Sequence, residues 1–375
     1  MKILHLADLH IGKKINDFCL LSEQKFVLSQ AIELIKNQDI KAVLISGDVF
    51  DKPIPPISAL ELFNEFLNDL NFLSVKTLII SGNHDNMDRL SYLSSLLEKS
   101  NVFISKSFDG NIQKVSLDNN ICVYLMPYLY PALVKKHFPD KEINSYNSAI
   151  KAVVDGIELD ESKVNIILSH QFVVGSDKVI LSDSEQKSVG GIDEVNYSVY
   201  EKFDYTALGH LHCPQKCGSE KLCYAGSILK YSLSEINQNK KFCVLDVKGK
   251  NDINYQTFPI KTLHQMKQYR GLLEQFLDKS FYEKIDVEDY IHFILEDEYV
   301  LDAKKKLSMI YPNILFLEFD NSYTRNLSNG FSSDISKDKT MYEHFCDFYK
   351  IQMNQDLDEE KDLIVKDLIN KQGGL

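Results

Sequence analysis

Up to about residue 260, short apolar runs alternate with segments whose apolar residues recur at helical spacing, the mark of an α/β domain. KILHLA (2–7) reads as a strand. Residues 21–35 read as a helix, with Leu21, Phe26, Val27, Ala31, Leu34 and Ile35 at helical intervals. KAVLIS (41–46) predicts the next strand, and PPISALELFNEFLNDLNFL a strongly apolar helix with Pro55 and Pro56 near its start. KTLIIS (76–81) predicts a third strand, and MDRLSYLSSLLEKS (87–100) a third helix. IQKVSL and ICVYLM flank Asp118-Asn119-Asn120, a turn-forming trio that predicts a hairpin. VNIILS (164–169), YTALG (205–209), LCYAGS (222–227) and FCVLDV (242–247) supply further strands. Parallel and hairpin-linked strands together predict an α/β domain over 1–264, built as an α+β sandwich of two packed mixed β-sheets flanked by helices.

From about 265 the pattern changes. A helix over Met266–Leu277, a strand in DYIHFILED, a helix in VLDAKKKLSMI and a strand in NILFLEFDN predict a small α+β appendage over 265–320. Residues 321–339 are rich in Ser and Asn with few apolar positions, and read as a linker. Two amphipathic helices, 340–353 and 358–371, occupy 340–375. Isolated helices of that length are marginal in water, so the pair needs a surface or a partner to lie on.

Composition narrows the class. The chain has 375 residues, 44% hydrophobic and 26% charged, which suits globular domains and excludes wholesale disorder. No stretch approaches the roughly 18 uninterrupted apolar residues of a membrane span. The start, MKILHLADLH, interrupts its apolar residues where a signal peptide needs them unbroken, so a cytoplasmic location is expected. The seven cysteines are scattered and expected to be reduced thiols. Cys213, Cys217 and Cys223 are close together, but their spacings match no zinc-binding pair. The net charge of −12 argues against coating nucleic acid through a broad basic face. A phosphate substrate remains open, because bound cations invert the local field.

Candidate chemistry lies at the strand ends. The first strand leads into Asp8-Leu9-His10, the next into Gly47-Asp48-Val49-Phe50-Asp51, and the third into Gly82-Asn83-His84-Asp85. NIILS leads into His170, and YTALG into His210-Leu211-His212. Ligands of open α/β sheets bind beyond the carboxyl ends of strands, so these residues point to one convergent site. Gly47, Gly82 and Gly209 directly precede polar site residues, where a tight turn or close backbone approach calls for the absence of a Cβ. Imidazole, carboxylate and amide donors without thiolate suit Mn²⁺, Zn²⁺ or Fe, whereas Mg²⁺ prefers more oxygen. Asp8, His10, Asp48, Asn83, His170, His210 and His212 are too many ligands for one ion and suit two ions sharing a bridge. In an extended segment i and i+2 face one side, so Asp8 with His10, and His210 with His212, are each expected to enter one cleft. By the same alternation Asn83 faces metal while His84 faces substrate. Two divalent ions against two carboxylates and one hydroxide leave a charge of about +1, which attracts a phosphoester. The chemistry expected is metal-assisted phosphoester hydrolysis.

DLHIG, GDVFD, GNHD, a lone SH and GHLH, in this order, resemble the calcineurin-like metallophosphoesterases. KILHLADLHIGK, GDVFDKPIPP, GHLHCPQ…YAGSILKYSLSE and the tail beyond 265 make the chain similar to the SbcD family of bacterial nuclease subunits over essentially its whole length. The resemblance implies the calcineurin-like metallophosphoesterase fold, with 265–320 as a capping domain and 340–375 as the docking element for an SbcC-type SMC-like ATPase. It implies two Mn²⁺ per chain, with Mg²⁺, Fe or Zn²⁺ as alternatives. One ion would take Asp8, His10, Asp48 and His212, and the other Asp48, Asn83, His170 and His210. His84 would serve the leaving oxygen, oriented by Asp85. DNA would be cut from double-stranded ends in the 3′→5′ direction, and internally at single strands and hairpins, in DNA repair and recombination. A homodimer through residues 57–72 and 87–99, inside a heterotetramer with the ATPase, is implied as well.

Two positions depart from the family. Asp51 stands where archaeal and eukaryotic relatives carry a second histidine, leaving it a candidate for substrate positioning. Ile228 follows Gly226-Ser227 where bacterial relatives often have proline. Two other readings compete: a cyclic-nucleotide phosphodiesterase or protein phosphatase with the same metal site, and a non-catalytic scaffold of the ATPase complex. His5, inside the first strand, is expected to be a core histidine, and His137, His264, His292 and His344 surface or tail residues.

Overall fold

The computed structural model describes every residue except 176–178, 186–192, 251, 299, 322–339, 354–355 and 372–375. The chain divides into two compact units, Met1–Met266 and Lys267–Leu375. The linker expected at 321–339 lies, from 322 on, outside the described residues.

The first unit holds two six-stranded mixed sheets. One contains β1 (Lys2–Leu6), β2 (Ala42–Ser46), β3 (Lys76–Ile80) and β4 (Val102–Ile104), all parallel in that order. The other is built on β5 (Gln113–Ser116), β6 (Ile121–Leu125), β7 (Val164–His170) and β8 (Tyr205–Gly209), with β6, β7 and β8 parallel. Outermost of its sheet, β9 (Gln215–Cys217) pairs with β10 (Ser219–Tyr224), which lies beside β8, while β11 (Lys241–Gly249) runs antiparallel to β1 and carries β12 (Asp252–Pro259) on its other edge.

Period-two alternation divides the side chains between two layers. Ile3, Leu44, Leu78 and Ile80 from one sheet meet Val123, Leu125, Ile166, Leu168 and Ala207 from the other in a shared dry core. Ile167 and Leu208, one register away, turn to the opposite face against Val134, Ile150, Val153 and Phe203. Helix α1 (Leu21–Gln38) buries Val27, Leu28, Ala31, Ile32 and Ile35. Helix α2 (Ile57–Phe72) lies beside it and buries Ala59, Leu62, Phe63, Phe66 and Leu70. His5 is a buried core residue, with Nδ1 3.3 Å from the Tyr205 hydroxyl and Nε2 3.1 Å from Ser46 Oγ.

Three expectations need correction. The helix expected over 87–100 is broken into Met87–Leu90, Ser94–Leu97 and a short 3₁₀ turn, with Leu93 in a left-handed conformation (φ 65°) between the first two pieces, just before the second. Residues 266–277 are not one helix: Met266–Gly271 form a strand and only Leu273–Leu277 are helical. Pairing with the strand Tyr290–Leu295, and beyond it Ile314–Phe319, overrides the local helical spacing. His292 lies buried in that sheet with Nε2 3.4 Å from Glu318, and His264 pairs with Glu23 at 2.6 Å, so neither is an unengaged surface histidine.

The second unit has its own core of Phe276, Ile291, Phe293, Leu307, Tyr311 and Ile314. It ends in two helices, Met341–Met353 and Glu359–Lys371, with Phe348, Leu363, Ile364 and Leu368 exposed. No helix among the described residues is long and apolar enough to cross a membrane.

The inter-sheet core carries the first unit's stability. Leu168→Ala, at a fully buried position, is expected to cost about 2–5 kcal/mol in urea unfolding. A loss below about 1 kcal/mol, on the order of a surface change, would contradict the packing described.

Candidate metal centre

The loops leaving β1 and β2 continue as a ladder beyond the strands. Asp8 N donates to Gly47 O at 3.1 Å, His10 N to Asp48 O at 2.9 Å and Ile11 N to Val49 O at 2.9 Å. The two sheets meet at the same rim: Ser46 Oγ donates to Ala207 O at 2.9 Å, and His170 Nδ1 to Ser46 O at 2.8 Å. Glycine is required here by space. A Cβ on Gly82 would lie 2.1 Å from Asp48 Oδ1, and one on Gly209 would lie 2.0 Å from Ser46 O.

Four site residues hold backbone conformations that L-residues avoid: Asp8 (φ 50°), His10 (φ 43°), Asp48 (φ 49°) and His210 (φ 104°). Such positions cost about 1–3 kcal/mol each and persist where the surroundings over-determine them. Extended i, i+2 geometry therefore does not describe these loops. Their side chains converge through turns held by the ladder instead.

Asp8, His10 and His212 offer ligand atoms within 4.8 Å of one another, as do His10, Asp48 and His84, and Asp8, Asp48 and His170. His10 Nε2 lies 3.2 Å from His212 Nε2 and 3.6 Å from Asp48 Oδ2. On the other side His170 Nε2 is 3.4 Å from Asp48 Oδ2 and 3.0 Å from Asn83 Oδ1, which is also 3.2 Å from His210 Nδ1. Donor-to-cation distances of about 2.0–2.2 Å place neighbouring donors about 3.0–3.6 Å apart. The donor set and its spacing thus fit cations, and Asp48 stands between the two groups. All seven predicted ligands are brought together.

Burial raises Asp8 to about 7, reinforced by Asp48 and opposed by His170, His212 and the His210 amide. Burial also works against an ionised Asp48, but the charge and hydrogen bond of His170, with His10 and His84, hold it far below the usual carboxylate range. Burial would strip His170 of its proton, yet Asp48 and Asp8 outweigh it and lift that imidazole to about 9. His10 and His210 are pushed down by burial, His210 to about 3.

His84 and Asp85 are placed differently from what the resemblance implied. Asp85 does not orient the His84 ring; its carboxylate accepts from Val49 N, Phe50 N and Gly82 N at 3.1, 3.0 and 2.9 Å and ties two donor-bearing loops together. The His84 ring is held instead through Nδ1, 3.0 Å from the carbonyl of Asp51. The Asp51 side chain pairs with Lys13 at 2.8 Å and lies 3.8 Å from His10 Nδ1.

Several supporting residues carry no motif of their own. Gln24 Nε2 donates to Leu9 O, to His10 O and to the Tyr231 hydroxyl, and Tyr231 in turn donates to Leu9 O. Glu235, Lys240 and Glu185 surround His212. Glu235 closes the segment YAGSILKYSLSE, a visible signal with no role attached. Cys217 and Cys223 donate to the carbonyls of Val173 and Glu220, and no cysteine joins a metal-ligating group among the described residues.

Residues 1–214 match the model of the calcineurin-like phosphoesterase family. The SbcD subunit of the SbcCD nuclease of Staphylococcus epidermidis is 32% identical over 380 residues, covering 99% of this chain and 98% of that one. The chain belongs to the calcineurin-like phosphoesterases of the SbcD family. Among solved structures, a dimetal phosphatase from Danio rerio covers 70% of this chain and 99% of its own at 11% identity, with a TM-score of 0.42. An archaeal phosphodiesterase covers 69% and 100% at 13% identity, with a TM-score of 0.31. At those scores neither bears on the assignment. As a calcineurin-like phosphoesterase with this donor set, the chain is a divalent-metal-dependent phosphodiester hydrolase.

Metal binding to this SbcD-family site is expected to release protons. Were Asp8 and His170 to take a cation, both would have to be deprotonated, and both are raised, to about 7 and about 9. Affinity should therefore strengthen with pH, about tenfold per unit once His170 alone is still protonated. Mn²⁺ calorimetry in buffers of different ionisation enthalpy checks this. Affinity flat between about pH 6.5 and 8.5 would contradict it.

Proposed function

We propose that this chain is the nuclease subunit of a DNA end-processing complex, working with two Mn²⁺ ions and an SbcC-type SMC-like ATPase. The observation that carries this reading is the pair of donor groups sharing Asp48. One ion falls to Asp8, His10, Asp48 and His212, the other to Asp48, Asn83, His170 and His210. When bound, such ions supply Lewis-acid charge that makes the local field positive despite the chain's −12 and stabilises a phosphoester under displacement.

The chain's own residues supply positioning and a proton. The Asp51 carbonyl accepts from His84 Nδ1, which fixes the ring and leaves Nε2 to serve the leaving oxygen. His84 N donates to Asp48 Oδ1 at 2.8 Å, so ring and shared carboxylate are set by one turn. Asp85 holds that turn through three backbone bonds. Lys13 offers a cation beside Asp51 at the rim, suited to a flanking phosphate.

DNA cut from double-stranded ends in the 3′→5′ direction, and internally at single strands and hairpins, is the substrate class that the SbcD-family kinship supports. That kinship also supports the roles of the C-terminal region, with 265–320 capping and the two terminal helices docking the ATPase. Their exposed Phe348, Leu363, Ile364 and Leu368 are apolar faces of the kind a coiled coil covers. A homodimer is supported by the apolar surface of α2 and residues 87–97. Ile57, Phe72 and Tyr92 are exposed there, beside a groove of about 540 Å³ lined by Ile54, Leu60, Phe63, Leu67, Leu90 and Leu97.

His84→Gln is expected to lower cleavage of a DNA hairpin with Mn²⁺ by at least about a hundredfold while leaving Mn²⁺ stoichiometry intact. Full cutting by the variant would remove the assigned proton donor, and rapid hydrolysis of cyclic nucleotides with DNA untouched would favour a small-molecule phosphodiesterase. Truncation after residue 339 should abolish co-purification with the ATPase while short-substrate cleavage persists. Retained co-purification would overturn the docking role.

A further inference from the structure

We propose that Glu235, held by Lys240, is a positioning residue that fixes the tautomer of His212 and thereby sets the affinity of the first of the two cation positions. The inference rests on the two-ion reading above and adds a residue that acts through a ligand.

Glu235 is fully buried and Lys240 is 5% exposed, unusual places for charged side chains unless they are paired. Lys240 Nζ donates to Glu235 Oε2 at 2.6 Å, and the neighbouring Oε1 takes the Nδ1 proton of His212 at 3.2 Å. A carboxylate opposite Nδ1 accepts and cannot donate, so the His212 proton sits on Nδ1 and the Nε2 lone pair is left for the cleft. That Nε2 is the atom 3.2 Å from His10 Nε2, inside the group shared with Asp8. Ser184 and Ser232 donate to Glu235 Oε1 at 2.7 and 3.0 Å, which saturates the carboxylate and leaves it no other rotamer to satisfy.

The grip extends to the His212 backbone. Its N–H donates to Glu185 Oε1 at 2.7 Å, and its carbonyl accepts from Lys240 Nζ at 2.8 Å. Ring, amide and carbonyl of a single ligand are thus held by three buried charged groups. The Glu235–Lys240 pair has no net charge, so it orients the imidazole without adding to the site's negative charge. The second cation's imidazoles are held otherwise, His170 by the Ser46 carbonyl, so the effect should be confined to one ion.

The experiment is a Mn²⁺ titration followed by calorimetry and by the EPR signal of the spin-coupled ion pair. Wild type is expected to fill two positions. Glu235→Gln, which keeps size and can still bond Lys240 and the serines, should weaken one position by about 10–100-fold and leave the other unchanged. At intermediate Mn²⁺ its spectrum should show isolated ions, with the coupled signal returning at excess metal. Glu235→Asp should recover part of the lost affinity. Ser232→Ala removes a bond to Glu235 but not the carboxylate, and should stay within about twofold of wild type. Two unchanged positions in Glu235→Gln, with metal-free thermal unfolding like that of wild type, would overturn the role of Glu235. Equal weakening of both positions would do the same. A variant that fails to fold would be replaced by Lys240→Met, for which the same selective loss is expected and an unselective one is contradictory. A wild-type chain that binds fewer than two ions would overturn the two-ion reading itself.

Discussion

Everything at the rim follows from one electrostatic constraint: Asp48 is buried, ionised and surrounded by imidazoles that burial would rather keep neutral. A buried carboxylate of this kind demands a compensating positive charge. His170, 3.4 Å away and lifted to about 9 by Asp48 and Asp8, is the imidazole best placed to carry that charge. Divalent cations would meet the demand better, because the lone pairs of His10, His212 and Asn83, which face neighbouring donor atoms at 3.0–3.2 Å, could then turn to positive charge. The site is therefore a set of donors built for charge that the chain itself lacks.

The scaffold keeps that unfavourable arrangement in place. Parallel strands from two sheets deliver their carboxyl ends to one rim, and the inter-sheet core of Ile3, Leu44, Ile166 and Leu168 fixes their separation. The ladder between the β1 and β2 loops holds Asp8, His10 and Asp48 in left-handed conformations that would relax if the loops were free. Gly82 and Gly209 let the backbones of neighbouring loops close onto Asp48 and Ser46. Strain at the site is thus supported by bonds and packing made just behind it.

Much of this was legible in the chain. Strand ends bearing Asp, Asn and His are a local pattern, and parallel strands turn a local pattern into a spatial cluster, so the seven donors could be named from spacing alone. The turn conformations were not legible, because positive φ at Asp8, His10 and Asp48 is imposed by a ladder between loops far apart in sequence. The same holds for the grip on His84, where the sequence neighbour Asp85 looked apt and the backbone carbonyl of Asp51 is the actual partner. Glu235 and Lys240 lie beyond any ligand motif, and only the folded chain brings them to His212. The broken helix at 87–97 and the strand at 266–271 were misread where a left-handed Leu93 and tertiary strand pairing overrode helical spacing.

The shared carboxylate is best tested by anomalous diffraction from crystals soaked in Mn²⁺. Two peaks about 3.5–4 Å apart are expected, with Asp48 in contact with both. A single peak, or two peaks of which Asp48 touches only one, would contradict a bridging role.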